Sequence, residues 1–146
     1  MKISLITTFL ITLLIQTTSN KINYVDSING IHYKDGKPVS LELINGNISD
    51  ISRPNELIEN SSWYLAPGLI DIQINGYMGV DFSGPDFTVE EIKKATKALW
   101  RVGVTSYFPT IITSDFSRMK KNFTILSKAK EDPEIGCSLA GFHLEG

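Results

Sequence analysis

The chain has 146 residues, of which 42% are hydrophobic, and its 14 basic residues nearly balance its 16 acidic ones. This length and apolar content suit one globular domain, and the even charge excludes the basic face that nucleic-acid-binding proteins need. The single cysteine, Cys137, excludes an internal disulfide framework and a multi-cysteine metal cluster.

Residues 1–20 have the layout of a secretory signal. Lys2 precedes an apolar stretch from Ile3 to Ile15, polar residues follow, and no acidic residue occurs. The stretch is too short to span a bilayer comfortably, so we expect no stable membrane span. An extra buried strand is the alternative interpretation, which leaves export and a cytoplasmic location both open.

Residues 21–66 predict a small β-sheet module. Two dipeptides that favour tight hairpin turns, Asp35-Gly36 and Asn45-Gly46, separate short segments of alternating apolar and polar residues. Antiparallel strands joined by these turns are the simplest structure for this part of the chain.

A strand over residues 69–74 opens the remainder of the chain, residues 67–146. Ile70, Ile72 and Ile74 share one face, and polar side chains occupy the other, before Asn75-Gly76 marks a turn. A first helix is expected from the cap Thr88 to about Arg101, where Gly103 is placed to end it.

The pattern of strand and helix then repeats. A second strand over residues 104–108 is expected to stop at Pro109, and a second helix to begin after Ser114 or Asp115. That helix is expected to present four apolar residues on one face, namely Phe116, Met119, Phe123 and Leu126. A third strand is expected from Cys137 to Leu144, with Cys137 as a packed small hydrophobe.

The resulting order is strand, helix, strand, helix, strand, which is typical of an α/β fold with a parallel sheet. An open doubly wound sheet and a (β/α)8 barrel both fit this order. The carboxyl ends of the strands are where either architecture places its chemistry. Five polar residues on two of these strands are therefore expected to face a common cavity: Asp71, Gln73, Asn75, His143 and Glu145.

Three segments carry a resemblance to a known family. Residues 65–76 resemble the first barrel strand of the N-acetylglucosamine-6-phosphate deacetylases of the amidohydrolase superfamily, residues 103–110 the second strand, and residues 141–146 the third. The resemblance covers residues 21–146 and implies the first three or so βα units of a (β/α)8 barrel, preceded by a small β module. It also implies an amino-sugar phosphate as substrate, and it is compatible with a homodimer of the full-length protein.

The resemblance further implies that Glu145 ligates a divalent metal, with Zn²⁺ the expected ion. Most amidohydrolases have His-x-His on the first strand, whereas this chain has Gln73-Ile74-Asn75. Neutral amides are poor ligands for transition metals, so we expect one metal ion. Gln73, Asn75, His143 and Asp71 are then candidates for orienting water or lining the pocket. Asp71 anchoring the backbone and His143 as a satisfied core histidine are the alternatives.

A complete barrel needs about 250 residues. The resemblance implies that the general-base aspartate and two metal-binding histidines lie beyond Gly146. We therefore expect the chain to be an inactive N-terminal fragment of a longer deacetylase. A non-catalytic remnant or binding module, or an amidohydrolase acting on another N-acetyl sugar or amide, are the alternatives.

Overall fold

We describe a computed structural model of the chain over residues 25–56 and 63–146. The structure divides between Ala66 and Pro67 into two compact units. The leader predicted over residues 1–20 lies outside the described residues. Within the described ranges, no helix is both long enough and apolar enough to cross a membrane.

The first unit contains one four-stranded sheet. Its strands are β1 (Val25–His32), β2 (Pro38–Ile44), β3 (Asn47–Ser52) and β4 (Tyr64–Leu65). They lie in the order β3-β2-β1-β4; the first three are antiparallel, and β4 runs parallel to β1. Asn45 and Gly46 have φ values of 52° and 77°, so the predicted two-residue turn joins β2 to β3.

The second unit alternates strands and helices. Its elements are β5 (Leu69–Ile74), β6 (Gly76–Tyr77), β7 (Val80–Asp81), α1 (Val89–Arg101), β8 (Val104–Ile112), α2 (Phe116–Lys130), a 3-10 turn (Gly136–Ser138) and β9 (His143–Glu145). Strands β5 and β9 both pair in parallel with the central strand β8. The predicted α/β class and parallel sheet are confirmed.

Local signals account for both ends of α1. The Thr88 side chain accepts a hydrogen bond from the Glu91 backbone, and the Glu91 carboxylate bonds back to the Thr88 backbone, which completes the predicted capping box. Gly103 follows the helix with a φ of 85°, a conformation that glycine adopts without steric cost. Ile92 and Leu99 lie on the buried face.

The core of the second unit lies between the parallel sheet and the two helices. It joins residues from both strands and helices with residues from the connecting loops, namely Ile74, Phe82, Phe87, Ile92, Leu99, Tyr107, Ile111, Leu126, Ala129, Ile135 and Leu139. Because the loop residues Phe82 and Phe87 are part of this core, the segment between β7 and α1 is fixed against the sheet.

The prediction that Pro109 stops the second strand was wrong. Strand β8 continues through the buried Pro109 as far as Ile112. Proline lacks the N–H that a regular ladder uses. The pairing register between β5 and β8 shifts between Asp71 and Ile74, and Ile74 is the residue that lies opposite Pro109. This irregularity accommodates the missing donor.

The apolar face predicted for the second helix lies against the core except at its first residue: Met119 and Phe123 are partly buried there beside Leu126. Leu126 is buried, but Phe116 at the helix start is 78% exposed. The fully buried residues of α2 are Asn122, Leu126 and Ala129. Apolar spacing alone could not indicate a buried asparagine, because the partners of its amide are distant in sequence.

The third strand is shorter than predicted, and Cys137 is exposed rather than packed. The chain turns at this point: the Gly136 N–H bonds to the Asp132 carbonyl at 2.9 Å, and the Ser138 N–H bonds to the Ile135 carbonyl at 2.9 Å. The buried residues flanking Cys137 resemble a strand in sequence, but a 3-10 turn points the thiol outward.

Candidate active site at the ends of the parallel strands

One hydrogen bond joins the carboxyl ends of the first and third parallel strands. Asn75 directly follows β5, Glu145 is the last residue of β9, and Nδ2 of Asn75 lies 3.1 Å from Oε2 of Glu145. The central strand β8 separates β5 from β9 in the sheet. The contact therefore reaches across the end of β8, in a half-buried position.

The backbone of Glu145 is fixed by a residue just beyond β8. Both the backbone N–H and the side-chain hydroxyl of Thr113 donate to the Glu145 carbonyl, at 2.8 Å and 2.9 Å. The sequence did not indicate Thr113 as part of this arrangement, because the second strand was expected to end at Pro109. No motif marks it; only the full length of β8 brings it beside Glu145.

The backbone of Asn75 is fixed from the other side. The Asn75 carbonyl accepts a 2.9 Å hydrogen bond from the N–H of Phe82. Ser83, which follows Phe82 in the chain, accepts a 2.8 Å hydrogen bond at its side-chain hydroxyl from the N–H of Ile112. The loop after β7 is therefore bonded to the ends of both β5 and β8. This loop also contributes Phe82 to the core, so the strand ends have rigid surroundings.

The side chain of Asn122 on α2 is hydrogen-bonded to the same loop. Its side chain is fully buried on α2, and Nδ2 donates to the carbonyls of Phe82 and Gly84, each at 3.1 Å. Backbone carbonyls buried without a donor are costly, which explains a polar residue on this face of the helix. Asn122 thus links α2 to the loop that contacts Asn75.

The turn expected at Asn75-Gly76 is replaced by a small hairpin. Strands β6 and β7 pair directly after Asn75, with the tight turn at Met78 and Gly79, whose φ values are 51° and 84°. Gly76 is required for close approach, because a Cβ there would lie 2.1 Å from the Val80 carbonyl oxygen. The hairpin therefore begins one residue after the carboxyl end of β5.

The other candidate residues lie on the same strands without joining the Asn75–Glu145 pair. Asp71 accepts a 3.0 Å hydrogen bond from the backbone N–H of Gln73, which is the local anchoring role considered as its alternative. Gln73 itself is exposed, and His143 is half-buried opposite Thr110 of β8. Across residues 25–56 and 63–146, no hydrogen bond connects these three side chains to Glu145.

The side chains at these strand ends supply one possible metal ligand, which is fewer than a metal site requires. Glu145 offers a half-buried carboxylate that is held at one oxygen, which is a suitable single ligand for Zn²⁺. A catalytic zinc site uses three protein ligands. Among the described residues, no group of three or more His, Cys, Asp and Glu side chains is close enough together to hold a metal ion.

The sequence is similar to several curated N-acetylglucosamine-6-phosphate deacetylases. Identity is 38% over 86 residues with the enzyme of Caenorhabditis elegans and 39% over 83 residues with that of Homo sapiens. Each match covers 56% of this chain but only 20% of the relative. The chain thus spans about a fifth of the length of these relatives. No protein-family model matches it.

Solved structures show the same fold. The N-acetylglucosamine-6-phosphate deacetylase of Pasteurella multocida superposes with a TM-score of 0.66 at 25% identity, covering 84% of this chain and 34% of that one. The deacetylase of Thermotoga maritima also gives 0.66, at 23% identity, and supports the fold alone. The resemblance carried by the three motifs is confirmed: over part of its length the chain is similar to N-acetylglucosamine-6-phosphate deacetylases, and its fold matches part of their structures.

Proposed function

We propose that the protein containing this chain is a metal-dependent hydrolase that removes acetate from N-acetylglucosamine 6-phosphate. In this proposal the chain supplies the first three strands of a (β/α)8 active site. The observation that carries it is the 3.1 Å hydrogen bond between Asn75 and Glu145, because it brings the ends of two separate motifs to one point. The names of the curated relatives support the same reaction.

Glu145 is the proposed metal ligand in this chain, and Zn²⁺ is the expected ion. Bound there, the ion would polarise the amide carbonyl of the substrate and lower the pKa of a water molecule toward about 7. Asn75 follows β5 where most amidohydrolases place a histidine, and its amide is bonded to Glu145. This favours one metal ion over two.

The remaining candidates have supporting roles in the proposal. Gln73 is exposed, so its amide is free to contact water or the sugar. His143 is half-buried two residues before Glu145 and lines the same edge of the sheet. Asp71 bonds to the backbone and stiffens the strand that carries both amides.

We expect residues 1–146 alone to lack deacetylase activity. Glu145 offers one carboxylate, and the described residues do not bring three metal ligands together. The general-base aspartate and the other metal ligands are expected from parts of the protein outside this chain. A homodimer of the full-length protein stays a prediction.

The test compares three proteins in an assay for acetate release with N-acetylglucosamine 6-phosphate and Zn²⁺. These are the protein translated from the complete reading frame that contains this chain, its Glu145→Gln variant, and residues 1–146 alone. Only the first is expected to release acetate. Full activity of the variant would contradict the role of Glu145, and activity of residues 1–146 would contradict the need for further ligands.

The same assay with unphosphorylated N-acetylglucosamine identifies the substrate. Preference for the unphosphorylated sugar would contradict the proposed substrate and would agree with an exported enzyme. A folded full-length protein that releases no acetate from either sugar would favour a non-catalytic binding module. Sequencing the N-terminus of the native protein decides whether residues 1–20 are removed.

A further inference from the structure

The chain contains three Asn-x-Ser/Thr sequons, the acceptor sequence for N-linked glycosylation. Two lie in the described residues, Asn47-Ile48-Ser49 and Asn122-Phe123-Thr124, and the third, over residues 60–62, lies outside them. We propose that Asn47 is a site of N-linked glycosylation in the exported protein and that Asn122 is not. This inference rests on the secretory leader predicted over residues 1–20, because such glycans are carried by secreted proteins.

The first step of the argument concerns the exposure of the acceptor. Asn47 directly follows the tight turn at Asn45 and Gly46, and it begins strand β3 at the tip of the hairpin with β2. All six residues of β3 are exposed. Strand β3 also lies at one edge of its four-stranded sheet. A bulky, hydrated glycan on Asn47 would therefore displace no packed side chain.

The second step concerns the two side chains that define the sequon. Nδ2 of Asn47 donates to the Asn45 carbonyl at 3.2 Å, and the Ser49 hydroxyl donates to the Glu42 carbonyl at 3.1 Å. Both hydrogen bonds are at exposed positions, where water can replace either partner at little cost. The amide and the hydroxyl are thus available to a transferase without any change in the core.

The third step is the contrast with Asn122. This residue is fully buried on α2, and its Nδ2 donates to the carbonyls of Phe82 and Gly84, each at 3.1 Å. A glycan on this nitrogen would take the place of one of its two protons, so one carbonyl would lose its donor. The close-packed core also leaves no room for a sugar. The native structure therefore accommodates a glycan at Asn47 and excludes one at Asn122.

The covalent step joins Nδ2 of Asn47 to the anomeric carbon of an oligosaccharide that is carried on a lipid diphosphate. The C–N bond forms while the C–O bond between the sugar and the phosphate breaks, and the lipid diphosphate leaves with that electron pair. Nδ2 gives one of its two protons to a basic group of the transferase. Nothing is oxidised or reduced.

The experiment expresses the complete reading frame, with its own leader, in eukaryotic cells that glycosylate exported proteins. Peptide N-glycosidase removes the glycan and converts its acceptor asparagine to aspartate, which mass spectrometry detects in the peptide that contains residue 47. We expect this conversion at Asn47 and none at Asn122. An unmodified Asn47 would overturn the proposal, and so would a glycan on Asn122 of the folded protein.

Four variants make the test specific. Asn47→Gln and Ser49→Ala each destroy the sequon, so each should lose one glycan per chain and migrate faster in electrophoresis. Ser49→Thr preserves the sequon and should keep the glycan. Asn55→Gln makes the same change as Asn47→Gln at an exposed asparagine outside any sequon, and it should also keep the glycan. A glycan that persists on Asn47 in Ser49→Ala, or is lost from it in Asn55→Gln, would contradict recognition of this sequon. Neither readout depends on deacetylase activity, so the result is independent of the proposed function.

Discussion

Tyr107 on β8 and Thr96 on α1 share a hydrogen bond of 2.7 Å, and neither residue has any exposed surface. The direction of this bond follows from a second one. The Thr96 hydroxyl donates its only proton to the Ile92 carbonyl, also at 2.7 Å, so the Tyr107 hydroxyl must be the donor to Thr96. The core therefore contains one polar pair whose donors are both satisfied.

The first prediction compares the two members of this pair. Thr96→Val leaves the Tyr107 hydroxyl buried without an acceptor, which costs about 1–3 kcal/mol. Tyr107→Phe removes that donor, and Thr96 keeps its bond to Ile92, so its cost is about 1 kcal/mol. Urea unfolding of both variants checks the order. A larger loss for Tyr107→Phe would contradict the assigned direction.

The second prediction concerns alkaline pH. Burial raises the pKa of Tyr107 to about 12 from its ordinary value of 10.0. Between these values the native state holds a proton that the unfolded state has lost, so stability falls as pH rises. Stability should be complete below pH 10 and decline by about 2–3 kcal/mol by pH 12.

Tyr107→Phe is the control for this pH dependence, because it removes the titrating group. Thermal unfolding of wild type and variant across pH 9 to 12 measures the difference. The wild type should lose more stability over this range than the variant. Parallel curves would contradict the assignment to Tyr107.

The third prediction concerns the buried amide of Asn122. Asn122→Asp keeps the shape but removes both donors to Phe82 and Gly84 and places a negative charge beside two carbonyl oxygens. We expect a loss of at least about 3 kcal/mol, because the carbonyls and the carboxylate are then buried without partners. Urea unfolding measures it. Asn55→Asp, at an exposed position, should change stability by less than about 0.5 kcal/mol. Equal effects of the two changes would contradict the supporting role of Asn122.

The fourth prediction concerns two glycines of the hairpin after β5. A Cβ on Gly76 would meet the Val80 carbonyl oxygen at 2.1 Å, and this backbone atom belongs to the paired strand β7. Gly79 has a φ of 84° but open space around it. Gly79→Ala should therefore cost about 1–2 kcal/mol from backbone conformation alone. Gly76→Ala should cost more, because it must open the hairpin.

Urea unfolding again provides the measurement for this pair. A Gly79→Ala protein that is less stable than Gly76→Ala would contradict the close approach at Gly76.

Short-range signals in the sequence were sufficient for much of the fold. The capping box at Thr88, the left-handed glycine at Gly103 and the turn at Asn45-Gly46 each depend on residues within one turn of chain, and the structure confirms all three. The parallel sheet followed from the alternation of strands and helices. The polar residues at the ends of β5 and β9 were predicted because polar and apolar residues alternate along both segments.

Other features depended on residues far apart in sequence. Pro109 remains inside β8 because the register against β5 shifts opposite it, and Cys137 faces outward because a turn begins at Gly136. Asn122 is buried on α2, although it was not among the residues expected on the apolar face, because the carbonyls of a distant loop need its amide. None of these partners can be identified from local composition.

For the candidate site too, some features could be predicted from the sequence and others depended on the tertiary structure. The sequence by itself determined that Asn75 and Glu145 stand at the ends of strands, since alternation and turn residues act over a few positions. Only the tertiary structure decided that these two side chains meet, 70 residues apart, across the end of β8. The physical reason is that strand neighbours and register are set by packing of the whole sheet and its helices, which no short segment contains.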